Sequence, residues 1–425
     1  MTDLKGKLLS SYDYSCDNNG ISGERVADRL CQLSVVGMTE KRGSNRPGYS
    51  KEEKNAKELV KGWMKEAGLV VKEDEAGNVF GRLGTQNGPA VLTGSHVDTV
   101  PEGGHFDGTL GVIAALEVAS SWKEQGYLPP FPFEVVVFSD EEGSRFGRGF
   151  TGSEAVIGEL NKDHLAQLKD HAGKSFEEVM QHVDLSLQTI DKAKREDIYA
   201  FLEVHIEQGK QLERANYPVG VVTGIAGPSW IELRFIGEAA HAGNTPMNDR
   251  QDALVAASAL IHELPNMTNG TAVATVGKLD VFPNGVNVIP EEVKLYVDVR
   301  DIDEENRNKL VDSIIEKARH LADKQNVLLK QTVKTKVKPV PVDPKLKQIL
   351  INSLKEMNSE ALELPSGAAH DAMIIGRRFP VAMLFARSKN GVSHNPEEWT
   401  TLNDCVTAIH VLKNSLEQLP YHPKQ

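Results

Sequence analysis

The sequence predicts an α/β protein in which a mixed-sheet domain is interrupted by a smaller α+β domain. Three observations carry this reading: the length of 425 residues, a series of wholly apolar strands alternating with helices, and a change to strict in–out alternation after residue 217. A single core usually stops growing well below this length, so two domains are the default. Strands apolar on both faces belong to a sheet covered by helices on both sides, whereas alternating strands belong to a sheet with one exposed face.

Taken in order, residues 22–37 read as an amphipathic helix and residues 51–67 as a second, ended by Gly68. Residues 89–94 form an apolar strand, 111–125 a helix, 133–139 (FEVVVFS) another buried strand and 200–206 a further one. The pattern then changes: 230–236 (WIELRFI) and 293–299 (VKLYVDV) alternate residue by residue. With helices at 252–263 and 305–324 and strands at 272–281 and 327–333, the order is βαββαβ, that of a ferredoxin-like sandwich. Residues 336–344 hold three prolines and read as a linker back to the first domain, to which 382–386 add a strand. The expected boundaries are therefore 1–216 and 336–425 for the first domain and 217–335 for the inserted one.

Composition narrows the function classes. Apolar residues make up 40% and charged residues 25%, the balance of an ordinary globular protein. A net charge of −12, with both signs interspersed, argues against nucleic-acid binding, which needs clustered Lys and Arg. No apolar run approaches the ~20 residues that span a bilayer, and residues 1–19 lack the pattern of a secretory leader. Cys16, Cys31 and Cys405 are far apart and form no C-x-x-C pair, so reduced thiols and a cytoplasmic location are expected.

Ionisable side chains gather at the carboxyl ends of the apolar strands, where open α/β sheets place their sites. One strand runs into Gly94-Ser95-His96-Val97-Asp98-Thr99-Val100, with Asp107-Gly108 eleven residues beyond His96. Another runs into Asp140-Glu141-Glu142-Gly143, and His205 and His394 follow in Glu-Val-His-Ile-Glu-Gln-Gly and Gly-Val-Ser-His-Asn-Pro. A lone His or Asp at a strand end is most often structural, and a paired Glu-Glu most often solvated. The conjunction carries the argument, because no packing requirement explains strands that end in clustered carboxylates. Three His with several carboxylates and no Cys suit a pair of Zn, Mn or Co ions better than a structural zinc.

These motifs resemble the aminoacylase/carboxypeptidase superfamily of dinuclear metallohydrolases, which implies a zinc-exopeptidase-like catalytic domain. Within that superfamily, His205-Ile206-Glu207-Gln208-Gly209, His241-Ala242-Gly243-Asn244-Thr245-Pro246 and Ser366-Gly367-Ala368-Ala369-His370-Asp371 resemble the amidase branch. That branch comprises N-carbamoyl-L-amino acid hydrolases, allantoate amidohydrolases and β-ureidopropionases. The resemblance runs from about Tyr49 to about Asp404. It implies two divalent metal ions bridged by Asp107, with His96 and His205 completing one site and Glu142 and His394 the other. Asp98 is the implied carboxylate that fixes the His96 tautomer, and Glu141 the implied general base. The Asp107–Gly108 peptide is implied to be cis.

The inserted domain is implied to act as a lid and as a dimerisation surface. Its His241 is the implied oxyanion donor, and Asn287 and Arg300 hold the substrate carboxylate. Gln208 is implied near the ureido group and His370 at the rim of the site. The expected substrate is a small ureido compound bearing a carboxylate, an N-carbamoyl-L-amino acid first. Allantoate relatives carry Gln-Arg-Arg after the Gly-Ile-Ala-Gly stretch, where this chain has Pro228-Ser229-Trp230. Allantoate, β-ureidopropionate and acylamino acids or dipeptides remain alternative substrates, and a metal-free dimeric binding scaffold is the alternative of a different class. The other histidines, among them His105 and His422, read as structural or surface.

Overall fold

The computed structural model describes residues 4–85 and 87–421, so His422 lies outside the described residues. The chain divides into two units. The first comprises the described residues up to Thr223, Val342–Leu364 and those from His370 onward; the second comprises Gly224–Pro341 and Pro365–Ala369.

In chain order the strands are β1 (Val70–Glu73), β2 (Val79–Leu83), β3 (Ala90–His96), β4 (Phe133–Phe138), β5 (Ile198–Ile206), β6 (Val219–Ile225) and β7 (Gly227–Ile236). They continue with β8 (Val273–Phe282), β9 (Glu292–Asp301), β10 (Leu328–Lys336), β11 (Val340–Pro341), β12 (Leu362–Ser366) and β13 (Val381–Ala386). The sheet of the first unit is mixed, in the order β1-β2-β4-β3-β5-β13-β6. Its centre, β4-β3-β5-β13, is parallel, and β2 and β6 join it antiparallel on either side. Every residue of β3, β4 and β13 is buried, which is why these stretches are mainly apolar rather than alternating, with Glu134 and the polar end of β3 as the exceptions.

Helix Thr109–Gln125 is buried along nearly its whole length and follows β3 through the loop that carries Asp107. Its Glu117 is fully buried and paired with Arg25 at 2.6 Å and Arg29 at 3.3 Å, tying it to helix Gly23–Ser34. Helix Lys51–Glu66 is N-capped by Ser50, and helix Leu402–Glu417 by Thr401. The proline-rich stretch after β10 is shorter than a free linker. Pro344 opens helix Pro344–Glu356 at its first turn, where its missing N–H is no loss, and Asp343 caps it.

The second unit has the order β7, helix Ala253–Met267, β8, β9, helix Glu304–Lys324, β10. Its sheet is antiparallel in the order β10-β7-β9-β8. Ile231, Leu233 and Phe235 of β7 and Val293, Leu295, Val297 and Val299 of β9 point inward onto the two helices. The intervening residues of β9 are only half-buried, the alternation of a one-sided sheet. Among the described residues no helix is long and apolar enough to cross a membrane, and no disulfide joins Cys16, Cys31 and Cys405.

Candidate metal centre

The four central parallel strands deliver their carboxyl ends to one edge of the sheet. His96 is the last residue of β3, Asp140, Glu141 and Glu142 follow β4 within four residues, and His205 is the penultimate residue of β5. The loop after β13 carries Ser393 and His394, and the loop between β3 and the next helix carries Asp107. Asp140, Gln208 and His394 all hold left-handed backbone angles, φ of 53°, 54° and 55°. Such conformations cost energy in non-glycine residues and persist where surroundings impose them, commonly at functional sites.

Among the described residues three groups of candidate ligand atoms form, and two of them share Asp107: His96, Asp107 and His205 in one, and Asp107, Glu142 and His394 in the other. The two oxygens of Asp107 face different partners. Oδ1 lies 3.1 Å from His205 Nε2 and 3.8 Å from His96 Nε2. Oδ2 lies 3.2 Å from His394 Nε2, which is itself 3.4 Å from Glu142 Oε2. Glu141 turns the other way, with Oε2 3.7 Å from His96 Nε2.

Backbone contacts orient the rings. His96 Nδ1 lies 3.0 Å from the carbonyl oxygen of Asp98, and His205 Nδ1 lies 3.1 Å from that of Ile206. A proton on each Nδ1 leaves each Nε2 as the lone-pair donor facing Asp107. The Asp98 carboxylate is farther, 3.5 Å from Nδ1. It instead accepts the amides of Glu141 at 3.2 Å and Glu142 at 3.1 Å, which fixes the loop that presents both glutamates. The main chain and the carboxylate of Asp98 thus both face the Nδ1 of His96.

The electrostatics of this cluster suit added positive charge. Burial works against a charged His96, yet Glu141, Asp98 and Asp107 outweigh it and hold the imidazole well above its usual range. Burial pushes Glu141 well above the usual carboxylate range, with His96 opposing, and Glu142 up to about 7. The hydrogen bond to Asp107 holds His394 up at about 9. Burial would raise Asp107, but His205 and His394 hold it well below the usual range. Among the described residues no Lys or Arg pairs with Asp98, Asp107, Glu141 or Glu142. Three buried carboxylates and the half-buried Glu142, with imidazoles as their only cationic partners among the described residues, form a nitrogen–oxygen donor set that fits divalent cations.

Some residues sit differently from expectation. The Asp107–Gly108 peptide is trans; the one cis bond among the described residues is Phe282–Pro283. Gly108 makes the turn by itself at φ 63°, and a side chain there would collide with the His96 ring. His370 is not at a rim: it is 2% exposed, its ring packed 4.3 Å from that of His205 and 5.8 Å from Phe385. Gln208 Nε2 reaches Asp107 Oδ2 and Ser393 Oγ, each at 3.0 Å.

His241, Asn287 and Arg300 belong to the second unit. There the His241 and Asn287 loops pair, Ala242 N donating to Asn287 O at 3.0 Å. His241 Nδ1 accepts the amides of Gly243 and Asn244, which leaves Nε2 as its donor. Arg300 binds Asp298 through Nε and Nη2 and the Gly367 carbonyl through Nη1.

Three site-lining acids were not singled out in the sequence. Glu203, the one charged residue inside β5, accepts from Ser95 Oγ at 2.7 Å and groups with His205 and His370. A lone carboxylate within an otherwise apolar strand was its available signal. Asp371 is completely buried beside it, and Glu398 lies under the Asp107 loop. Asp371 ends the Ser366–Asp371 motif of the resemblance with no role implied for it, and Glu398 carries no distinguishing pattern in sequence.

A mixed sheet with a buried imidazole–carboxylate cluster at its parallel carboxyl edge defines the class of metal-dependent hydrolases. Residues 92–418 match the model of Peptidase family M20/M25/M40, and the chain belongs to that family. An N-carbamoyl-L-amino acid amidohydrolase of Geobacillus stearothermophilus is 42% identical over 405 residues, covering 94% of this chain and 99% of that one. An allantoate amidohydrolase of Bacillus subtilis is 35% identical over 401 residues, covering 93% and 97%. A solved amidase of the hydantoinase/carbamoylase family from Burkholderia multivorans superposes with a TM-score of 0.88 at 32% identity, covering 93% of this chain and 97% of that one. The chain is accordingly a hydrolase of C–N bonds.

Proposed function

We propose that the chain hydrolyses the carbamoyl C–N bond of N-carbamoyl-L-amino acids, giving an L-amino acid, ammonia and CO2. The observation that carries the reading is the pair of donor groups sharing Asp107. His96, Asp107 and His205 would hold one divalent cation, and Asp107, Glu142 and His394 a second, as Zn, Mn or Co. When bound, such ions supply Lewis acidity and lower the pKa of water toward neutrality.

The protein's own groups then have distinct tasks. Glu141 accepts the proton of the attacking water and passes it to the amine nitrogen as the C–N bond breaks. The carbamic acid that remains decomposes to ammonia and CO2. His241 donates through Nε2 to the oxygen on which negative charge develops. Arg300 takes the substrate carboxylate, exchanging its Asp298 partner for a ligand anion, and Asn287 completes that anchor. Gln208 lies near the ureido group, and His370 packs its ring on that of His205.

The substrate choice is supported by the 42% identity to the Geobacillus enzyme and by the surroundings of Arg300. Pro228 lies directly across from Arg300 in the β7–β9 register, Ser229 is buried and Trp230 follows. None supplies a cation for the second polar arm of allantoate, and leaving such groups unpaired costs about 1–3 kcal/mol. That corresponds to roughly a tenfold to hundredfold disfavour in kcat/KM. A direct competition between N-carbamoyl-L-methionine and allantoate, with and without a chelator, tests the reading. Preference for allantoate overturns the substrate, and activity that survives exhaustive chelation overturns the metal centre.

The second unit is proposed to act as a lid and to join two chains as a homodimer. Trp230, Val273, Leu279, Leu328 and Val333 of its sheet are exposed apolar residues, a surface suited to a second copy.

A further inference from the structure

We infer that Glu398 is a positioning residue of the metal centre, holding the loop of Asp107 and the loop of His394 in register. The inference rests on the reading of Asp107 and His394 as ligands given above.

Glu398 is 3% exposed, and among the described residues no Lys or Arg pairs with it. A buried carboxylate without a cation is a costly way to fill space, and it persists only where hydrogen bonds compensate it. Three do. Its Oε1 accepts the amides of Phe106 at 2.8 Å and Asp107 at 3.1 Å. Its Oε2 faces Ser393 Oγ at 2.9 Å. The loop closes onto the carboxylate at Gly104, where any side chain would collide with Glu398.

The partners of Ser393 extend the argument. Its Oγ also lies 3.1 Å from Asp107 Oδ2 and 3.0 Å from Gln208 Nε2. A hydroxyl has a single proton, so it donates to one carboxylate only. With Gln208 donating one N–H to Ser393 and the other to Asp107 Oδ2, and Ser393 donating to Glu398, Asp107 keeps Oδ1 and one lone pair of Oδ2 for a ligand role. Glu398 thereby fixes the Asp107 main chain directly, and it orders the Ser393–Gln208 contact that flanks the Asp107 carboxylate. It also stands four residues beyond His394, so one short turn joins both loops to one acceptor.

The test measures metal stoichiometry and chelator-competition affinity, alongside circular dichroism, on the full chain. Glu398→Leu keeps bulk and removes the acceptors; Glu398→Gln keeps one acceptor oxygen for the two amides. Losing an outer partner of a metal ligand typically costs about tenfold to a hundredfold in metal affinity. That loss is expected for Glu398→Leu with a native dichroism spectrum, with Glu398→Gln closer to wild type. Wild-type affinity in Glu398→Leu, or equal losses in both variants, overturns the inference. If Glu398→Leu does not fold, Ser393→Ala decides: weakened metal affinity supports the relay, and unchanged affinity overturns it. Wild-type protein that binds no divalent metal would instead sink the metal-centre reading itself, a separate outcome.

Discussion

Glu141 and Glu142 are neighbours in sequence, yet one step of the chain sends their carboxylates to different partners. Glu142 Oε2 approaches His394 Nε2 at 3.4 Å, whereas Glu141 Oε2 approaches His96 Nε2 at 3.7 Å and belongs to neither Asp107-centred donor group. Asp98 enforces the split by accepting both of their amides. If Glu141 moves a proton and Glu142 holds a cation, Glu141→Gln removes the proton carrier and leaves the donors intact. We expect a fall in kcat of about 10²–10⁴-fold with metal content unchanged by elemental analysis. Loss of metal together with activity would exchange the roles of the two residues.

At the scale of elements, the turn between β3 and helix Thr109–Gln125 constrains the site closely. Gly108 holds φ 63°, and a Cβ there would meet the imidazole of His96. Gly108→Ala therefore meets both a left-handed backbone and a side-chain collision, and the cheapest relief is to push His96 off its position. The variant is expected to lose metal affinity by at least tenfold, the scale on which disturbed ligand support is felt. Titration with metal under chelator competition checks this, and an unchanged affinity would show that the turn adapts without moving the ring. Elsewhere the elements follow their local signals. The βαββαβ pattern of the second unit is readable because β9 buries only alternate residues and β7 departs from that alternation only at Glu232. The flanking strands β1, β2 and β6 escaped the sequence reading. β1 is exposed, while β2 and β6 are short buried stretches with no in–out period.

At the scale of the whole molecule, we propose, from the family resemblance, that the homodimer places His241 and Asn287 of one chain in the site of the other. Mixing Glu141→Gln with His241→Ala chains then leaves one intact site in each mixed dimer. With half of the dimers mixed, activity should recover to about a quarter of wild type. Demonstrated mixed dimers without recovered activity would exclude the exchanged arrangement.

The sequence alone carried the mixed α/β class, because fully apolar strands of six or seven residues have no stable home outside a covered sheet. Ionisable residues at the ends of apolar strands also drew attention to His96, Glu142 and His205, while the full set with Asp107 and His394 came from the family resemblance. What the sequence could not carry was relative position. The carbonyl contacts that set the His96 and His205 tautomers, the trans turn at Gly108 and the burial of His370 all depend on which backbone atoms approach across the sheet. The same holds for Glu398, whose partners Phe106 and Asp107 are separated from it by 292 and 291 residues. Local periodicity reports which face of an element is buried; only the packed chain brings such distant donors to one carboxylate, because hydrogen bonds need contact within about 3 Å.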